Sequence, residues 1–282
     1  MHSHDHGLAH DLQTIERRRA LLWLAGAGAV SLLGCGGGDD KSTSSTSSSG
    51  SSSSGSTGSS SSGSTSSCAV IPEETAGPYP GDGSNQSSGS TSNVLALSGI
   101  VRSDIRTSVG DASGTAAGVP MTITLTLVNT NSSCSSLAGY AIYLWHCNRD
   151  GKYSLYSSGI TDQNYLRGVQ VTDSNGQVTF TTIFPACYSG RWPHIHFEVY
   201  PSLAQATGYA NKVKTSQIAL PADVCSTVYS SATGYSASVT NLAQISLAID
   251  NVFSDGTTYE MATVSGNITD GYAATLTVGI SA

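Results

Sequence analysis

Along most of its second half the chain alternates apolar and polar residues with a period of two. In residues 119–128, Met121, Ile123, Leu125 and Leu127 alternate with Thr122, Thr124 and Thr126, the pattern of a half-buried strand. Residues 139–147 predict a second strand, closed by Asn148-Arg149-Asp150-Gly151, where Asp-Gly supplies a turn. Residues 168–172, the Asn175-Gly176 pair and residues 177–182 read as strand, tight turn, strand. Further strands are predicted at 194–200, 212–219, 245–252, 257–264 and 273–280, with short helical turns at 202–207 and 222–230. Many short strands between Gly and Asn turns predict an all-β fold, a single β-sandwich or barrel-like domain.

That pattern does not begin at residue 1. Arg17-Arg18-Arg19 precedes a fourteen-residue apolar run, 20–33, too short to cross a hydrocarbon layer of about 30 Å. The charged flank, short apolar core and small residues predict an export signal over residues 1–34. Leu32-Leu33-Gly34-Cys35 resembles a bacterial lipoprotein cleavage box with Cys35 as the lipidated residue, and the arginines resemble a twin-arginine leader. Residues 42–67 are Ser, Thr or Gly throughout, a tract with nothing to bury. A flexible tether of that length has a root-mean-square span of roughly 25–30 Å. Residues 35–67 are therefore expected to link a lipid anchor to one β domain at 68–282, exported to the periplasm or cell surface.

The full chain of 282 residues carries a net charge of −7. Removing residues 1–35 takes away Arg17, Arg18 and Arg19 with Asp5, Asp11 and Glu16, so the balance is unchanged. No basic run remains, which argues against nucleic acid as a partner. The histidines at positions 2–10 precede the predicted cleavage point and are not expected in the mature protein. Of six cysteines, lipidation of Cys35 leaves Cys68, Cys134, Cys147, Cys187 and Cys225, enough for two disulfides and a spare thiol in an oxidising compartment. Their connectivity is open. The absence of Cys-x-x-Cys excludes zinc-ribbon and thioredoxin readings.

Chemistry concentrates in Tyr188-Ser-Gly-Arg-Trp-Pro-His194-Ile-His196. On a strand, residues two apart face the same side, so both imidazoles point one way. Tyr188 precedes them by a short loop, and Tyr165 offers a second phenol upstream. Two phenolates with two neutral imidazoles form a hard oxygen/nitrogen set suited to iron(III), with no thiolate drawing it toward zinc or iron–sulfur chemistry.

These residues fall within a series of ordered blocks. They are Pro72-Glu73-Glu74-Thr75-Ala76-Gly77-Pro78-Tyr79, residues 144–154 from Leu144-Trp145-His146 to Tyr153-Ser154, Tyr165-Leu166-Arg167-Gly168, Thr172-Asp173-Ser174-Asn175-Gly176, and the 188–196 segment. Together they resemble the intradiol ring-cleavage dioxygenases, the catechol and protocatechuate enzymes, and most closely a protocatechuate-type core. The resemblance covers most of residues 72–219 and none of the segment beyond about residue 230. It implies Fe(3+) held by Tyr165, Tyr188, His194 and His196, with Tyr188 and His196 axial. It implies Arg191 acting on negative charge in the substrate and Gln217 lining the pocket. It also implies that Thr75 and Tyr79 reach the substrate, and that Tyr188 is displaced by the substrate and takes its proton. The implied reaction cleaves a catechol-type ring between its hydroxylated carbons with O2, giving a cis,cis-muconate-type diacid. His146 is read as a packed core histidine, and Tyr153 and Tyr156 as packing residues. A homo-oligomer is compatible with the sequence. The competing reading is a lipid-anchored binding or adhesion module that retains a structural or vestigial metal site.

Overall fold

The computed structural model describes residues 68–282. The predicted export signal, Cys35 and the Ser/Thr/Gly tether lie outside the described residues. Eleven strands are formed: β1 (Asp82–Ser87), β2 (Ser90–Asn93), β3 (Pro120–Asn129), β4 (Ser135–Ser136), β5 (Ala141–Trp145), β6 (Arg167–Val171), β7 (Gln177–Ile183), β8 (His194–Tyr200), β9 (Lys214–Ala219), β10 (Thr263–Asn267) and β11 (Gly271–Ile280). Two helices, α1 (Ala222–Ser231) and α2 (Ser236–Ala243), lie between β9 and β10. No helix among the described residues is long and apolar enough to cross a membrane.

The strands make two sheets and a separate β1–β2 hairpin. In the first sheet β3 is central. It pairs in parallel with β11 along one edge, and β7 and the short β4 share the other edge. The alternation read along β3 explains this placement. Met121, Ile123, Leu125 and Leu127 are all buried, whereas their threonine neighbours are exposed or half-buried. The second sheet runs β6–β5–β8–β9, antiparallel throughout. Its inner face sets Ile142, Leu144, Ile195, Phe197, Val199 and Ile218 against the first sheet, forming the sandwich core.

The outer face of the second sheet is also covered, so every residue of β5 and β8 is buried. Val94, Leu95 and Ile100 from the amino-terminal segment pack there on Tyr143, Trp145 and Tyr200, as does Tyr153 from the loop after β5. Arg167 fastens this cover. Its guanidinium donates to the carbonyls of Tyr79, Pro80 and Ser154 and to the hydroxyls of Tyr143 and Ser154, at 2.8–3.1 Å. A fully buried arginine with this many acceptors holds three chain segments together.

Two expectations need correction. Residues 245–252 do not form a strand despite alternating Ile245, Leu247 and Ile249. Ser246 accepts hydrogen bonds from Ile249 and Asp250, and the Asp250 carboxylate caps the next turn. Of the strand predicted at 257–264, only Thr263 and Val264 are extended, at the start of β10. The described cysteines make one disulfide, Cys68–Cys134, within the limit of two, and leave Cys147, Cys187 and Cys225 as buried thiols.

Candidate metal centre

The site is built on the outer face of the second sheet. Strand register aligns Arg167, Trp145, His196 and Gln217 in one row across β6, β5, β8 and β9. The Trp145 ring lies flat on the His196 ring, with centroids 4.9 Å apart and planes within 5°. His194, two residues earlier on the same face, brings its Nε2 to 3.1 Å from His196 Nε2. Tyr188, on the loop between β7 and β8, places Oη 3.2 Å from His194 Nε2. Helix α2 steadies that loop: Ser238 Oγ accepts from the Cys187 N–H at 3.0 Å, and Asn241 Nδ2 donates to the Cys187 carbonyl at 2.8 Å.

The proton on His194 can be placed. Its Nδ1 lies 2.5 Å from the Trp192 carbonyl, which can only accept, so Nδ1 is the donor and Nε2 keeps its lone pair. Burial, then the Arg191 charge, holds the His194 pKa well below its usual value. Burial, followed by His194 and Arg191, does the same for His196. Both rings are therefore neutral at neutral pH. Ligand atoms at right angles around a metal, with bonds of about 2.1 Å, lie about 3.0 Å apart. His194 Nε2 meets that spacing with both His196 Nε2 and the Tyr188 oxygen.

The second phenol is not Tyr165. Its ring packs with Ala116, Leu166 and Ile183, and its polar neighbours are Asn148, Asp150 and Asp162. Leu166 has a φ of 57°, which breaks the strand alternation just before β6 and turns Tyr165 away from the row that Arg167 occupies. The residue that faces the cluster is Tyr153. Its ring centroid is 5.9 Å from that of Tyr188 and 6.1 Å from that of His196. Its hydroxyl is buried with no hydrogen-bond partner among the described residues. Burial, then the Tyr188 phenol, pushes the Tyr153 pKa well up. A bound cation reverses that preference, because it stabilises phenolate. Gly151 makes the approach of the two tyrosine loops possible. It sits at a φ of 76°, and a Cβ there would lie 3.0 Å from Tyr188 Cβ.

No group of three His, Cys, Asp or Glu side chains among the described residues could hold a metal, so a metal here must draw on phenols. Tyr153, Tyr188, His194 and His196 fit one. The unpartnered buried hydroxyl of Tyr153, the fixed lone pair of His194 and the near-right-angle spacing all match a ligand set of two phenolates and two imidazoles. His146 lies on the other side of β5, bonded to the Cys147 carbonyl and Thr182 Oγ1, with its pKa lowered by burial to about 4.

Arg191 is buried beside the histidines. Its Nη2 donates to Gln217 Oε1 at 2.7 Å, and Gln217 Nε2 donates to the Thr75 carbonyl at 2.8 Å. Thr75 thus meets the site through its backbone, while its Oγ1 accepts from the Gly77 N–H. The Tyr79 ring lies tilted against those of Tyr153 at 5.0 Å and Tyr156 at 5.3 Å, so it supports the phenol of Tyr153. Sequence reasoning missed Tyr153, the Arg167 fastening and Asp250. The signal for Tyr153 was its position straight after Asp150-Gly151-Lys152, a turn that returns the chain over the outer face.

Comparison with known proteins agrees with this architecture. Residues 101–199 match the family model described as dioxygenase. A stretch of 58 residues is 36% identical to chlorocatechol 1,2-dioxygenase of Rhodococcus opacus, covering 21% of this chain and 23% of that protein's length. The solved intradiol ring-cleavage dioxygenase from Tetranychus urticae is 24% identical, with a TM-score of 0.56 over 76% of this chain and 95% of that one. A second solved dioxygenase is also 24% identical, with a TM-score of 0.54 over 76% of this chain and 94% of its own. Residues 101–199 thus resemble a dioxygenase segment, and the fold is similar to that of the solved intradiol ring-cleavage dioxygenase.

Proposed function

We propose that this protein is a non-haem iron(III) intradiol dioxygenase. It would cleave catechol-type rings between the hydroxylated carbons with O2, giving cis,cis-muconate-type diacids. The observation that carries the reading is the convergence of Tyr153, Tyr188, His194 and His196 on one buried face. These four residues would hold the iron, with Tyr153 in the role first assigned to Tyr165. Bound iron(III) would supply a Lewis acid that draws a catechol into its dianionic form and activates it toward O2.

The chain's own groups do the rest. The Trp192 carbonyl keeps His194 Nε2 available. Tyr188 Oη is the base that takes the second substrate proton. Its ring is only half-buried and Gly190 follows two residues later at a φ of 83°, so the phenol has room to move. Arg191 opposes negative charge developing on the ring, in a buried site where a fixed guanidinium acts more strongly than in water. Trp145 backs His196, and Phe253 lies edge-on to His194 at 6.4 Å, which keeps water from the imidazoles. We also propose that the mature protein is lipid-anchored at Cys35.

The test is colour with oxygen uptake. Aerobically purified protein should be burgundy from tyrosinate-to-iron(III) charge transfer, and should consume one O2 per catechol. A colourless zinc protein, or an iron-replete protein inert toward a panel of catechols, would overturn the assignment in favour of a binding module with a structural metal site.

A further inference from the structure

The family-model match ends at residue 199, and no residue singled out in the sequence lies beyond Cys225. Yet residues 244–262 return to the centre and meet it through one carboxylate. Asp250 is completely buried. Its Oδ2 accepts from Arg191 Nε at 3.0 Å and from the Trp192 N–H at 2.6 Å. Its Oδ1 accepts from the N–H groups of Val252 and Phe253 at 2.8 and 3.0 Å.

Each partner matters for the centre. An arginine side chain has four rotatable bonds, and one anchor leaves its plane free to tilt. Here Nε is anchored by Asp250 and Nη2 by Gln217 Oε1, so two directions fix the guanidinium plane. Trp192 is held at both ends: its N–H donates to Asp250, and its carbonyl accepts from His194 Nδ1. The turn that Asp250 closes also delivers Phe253, whose ring lies against His194 and under the Arg191 guanidinium, 5.9 Å away. Trp192, Ala219, Val252 and Phe253 pack as one cluster that supports this arrangement.

We propose that Asp250 is a positioning residue for ring cleavage. It fixes the plane of Arg191 and the Trp192 peptide that orients His194, which makes residues 244–262 part of the active-site architecture. The inference rests on the dioxygenase reading. A charge stabiliser helps only when it is aimed before the reaction, and misplacement by about 1 Å can cost about a hundredfold in rate.

A double-mutant cycle tests this in the iron-loaded protein. Asp250→Asn should retain iron and the tyrosinate band, and lower kcat by about tenfold to a hundredfold with a smaller change in KM. In an Arg191→Ala background the same substitution should cost clearly less kcat, because its Arg191 target is gone and only the Trp192 peptide is left to disturb. Equal losses in both backgrounds would show that Asp250 does not act through Arg191, and would overturn the proposal. Should Asp250→Asn fold poorly, Asp250→Ser can still cap Val252 and Phe253 while it releases Arg191, and the same cycle applies. If the wild type turns over no catechol, the dioxygenase reading fails. The cycle is then read from the Kd of 4-nitrocatechol, measured by visible absorption, and zero coupling between Asp250 and Arg191 there sinks the inference.

Discussion

At the scale of single residues, the division between Tyr153 and Tyr165 decides how the centre works. The two phenols are twelve positions apart and both buried, and each sits in a block that resembles the same family. Tyr165 drew attention because it adjoins Leu166-Arg167-Gly168, yet in that block it is Arg167 that faces the site side of the sheet. Tyr153 looked like packing because a buried tyrosine usually is. What distinguishes it is an unpartnered hydroxyl, which sequence cannot display. Tyr153→Phe should therefore remove much of the visible charge-transfer band and weaken iron retention, while Tyr165→Phe should leave both unchanged. Absorption and resonance Raman spectra of the two variants check this, and a bleached Tyr165→Phe would return the ligand to the earlier assignment. Arg191→Ala should keep iron and colour but lose about a hundred- to a thousandfold in kcat, as expected for removal of one electrostatic donor. Oxygen uptake in a metal-replete sample, measured against wild type, checks it.

Among elements, the strands were legible wherever alternation and burial agree. β3, β7, β8 and β11 formed within two residues of expectation, because one apolar face in each meets the sandwich core. β8 also announced the site, since His194 and His196 alternate with Ile195 and Phe197 and end up buried. Alternation failed at 245–252, where a polar interaction prevails: the Asp250 carboxylate needs a turn to gather its donors, and Ile249 is left 66% exposed. The β1–β2 hairpin was missed because its Ser, Thr, Asn and Gln residues carry no apolar period. The disulfide could not be read from spacing, but its consequence can. Cys68–Cys134 closes a loop of 66 residues and ties residues 68–71 beside the end of β11, where the Ile71 N–H donates to the Gly279 carbonyl. Chain-entropy reasoning puts its upper contribution at roughly 4 kcal/mol. Cys68→Ser/Cys134→Ser should lower the urea midpoint accordingly and leave the tyrosinate band intact, because the bond lies at the turn between β3 and β4, outside the second sheet that carries the centre. Denaturant titration followed by both fluorescence and visible absorption measures the two effects together.

For the molecule as a whole, buried carboxyls tie stability to pH. Glu260 is fully buried, and burial, followed by the charges of Glu74 and Asp255, raises its pKa from 4.5 to about 8. The folded state therefore holds a proton that the unfolded state has released. Its contribution is complete below about pH 4.5 and is lost as pH rises through about 8. Between pH 6.5 and 8.5, above the range in which the buried histidines oppose this trend, Tm should fall for wild type and fall less for Glu260→Gln. Parallel slopes in differential scanning calorimetry would remove Glu260 as the cause. The proposed lipid anchor draws on the other end of the chain. The family-matched segment, both sheets and every residue assigned to the centre lie within residues 68–282. Residues 1–67 instead carry the arginine-flanked apolar run, Cys35, and a Ser/Thr/Gly tract with no side chain worth burying. Under the proposed lipid anchor, a tract of this composition would give the domain a reach of roughly 25–30 Å from its surface. Anchor and enzyme should then be separable. Cys35→Ala should move the protein from the membrane fraction to the soluble fraction with kcat and colour unchanged. An intact amino terminus or an unmodified Cys35 in the mass spectrum of the wild-type protein would show that it is held in place by something other than lipid.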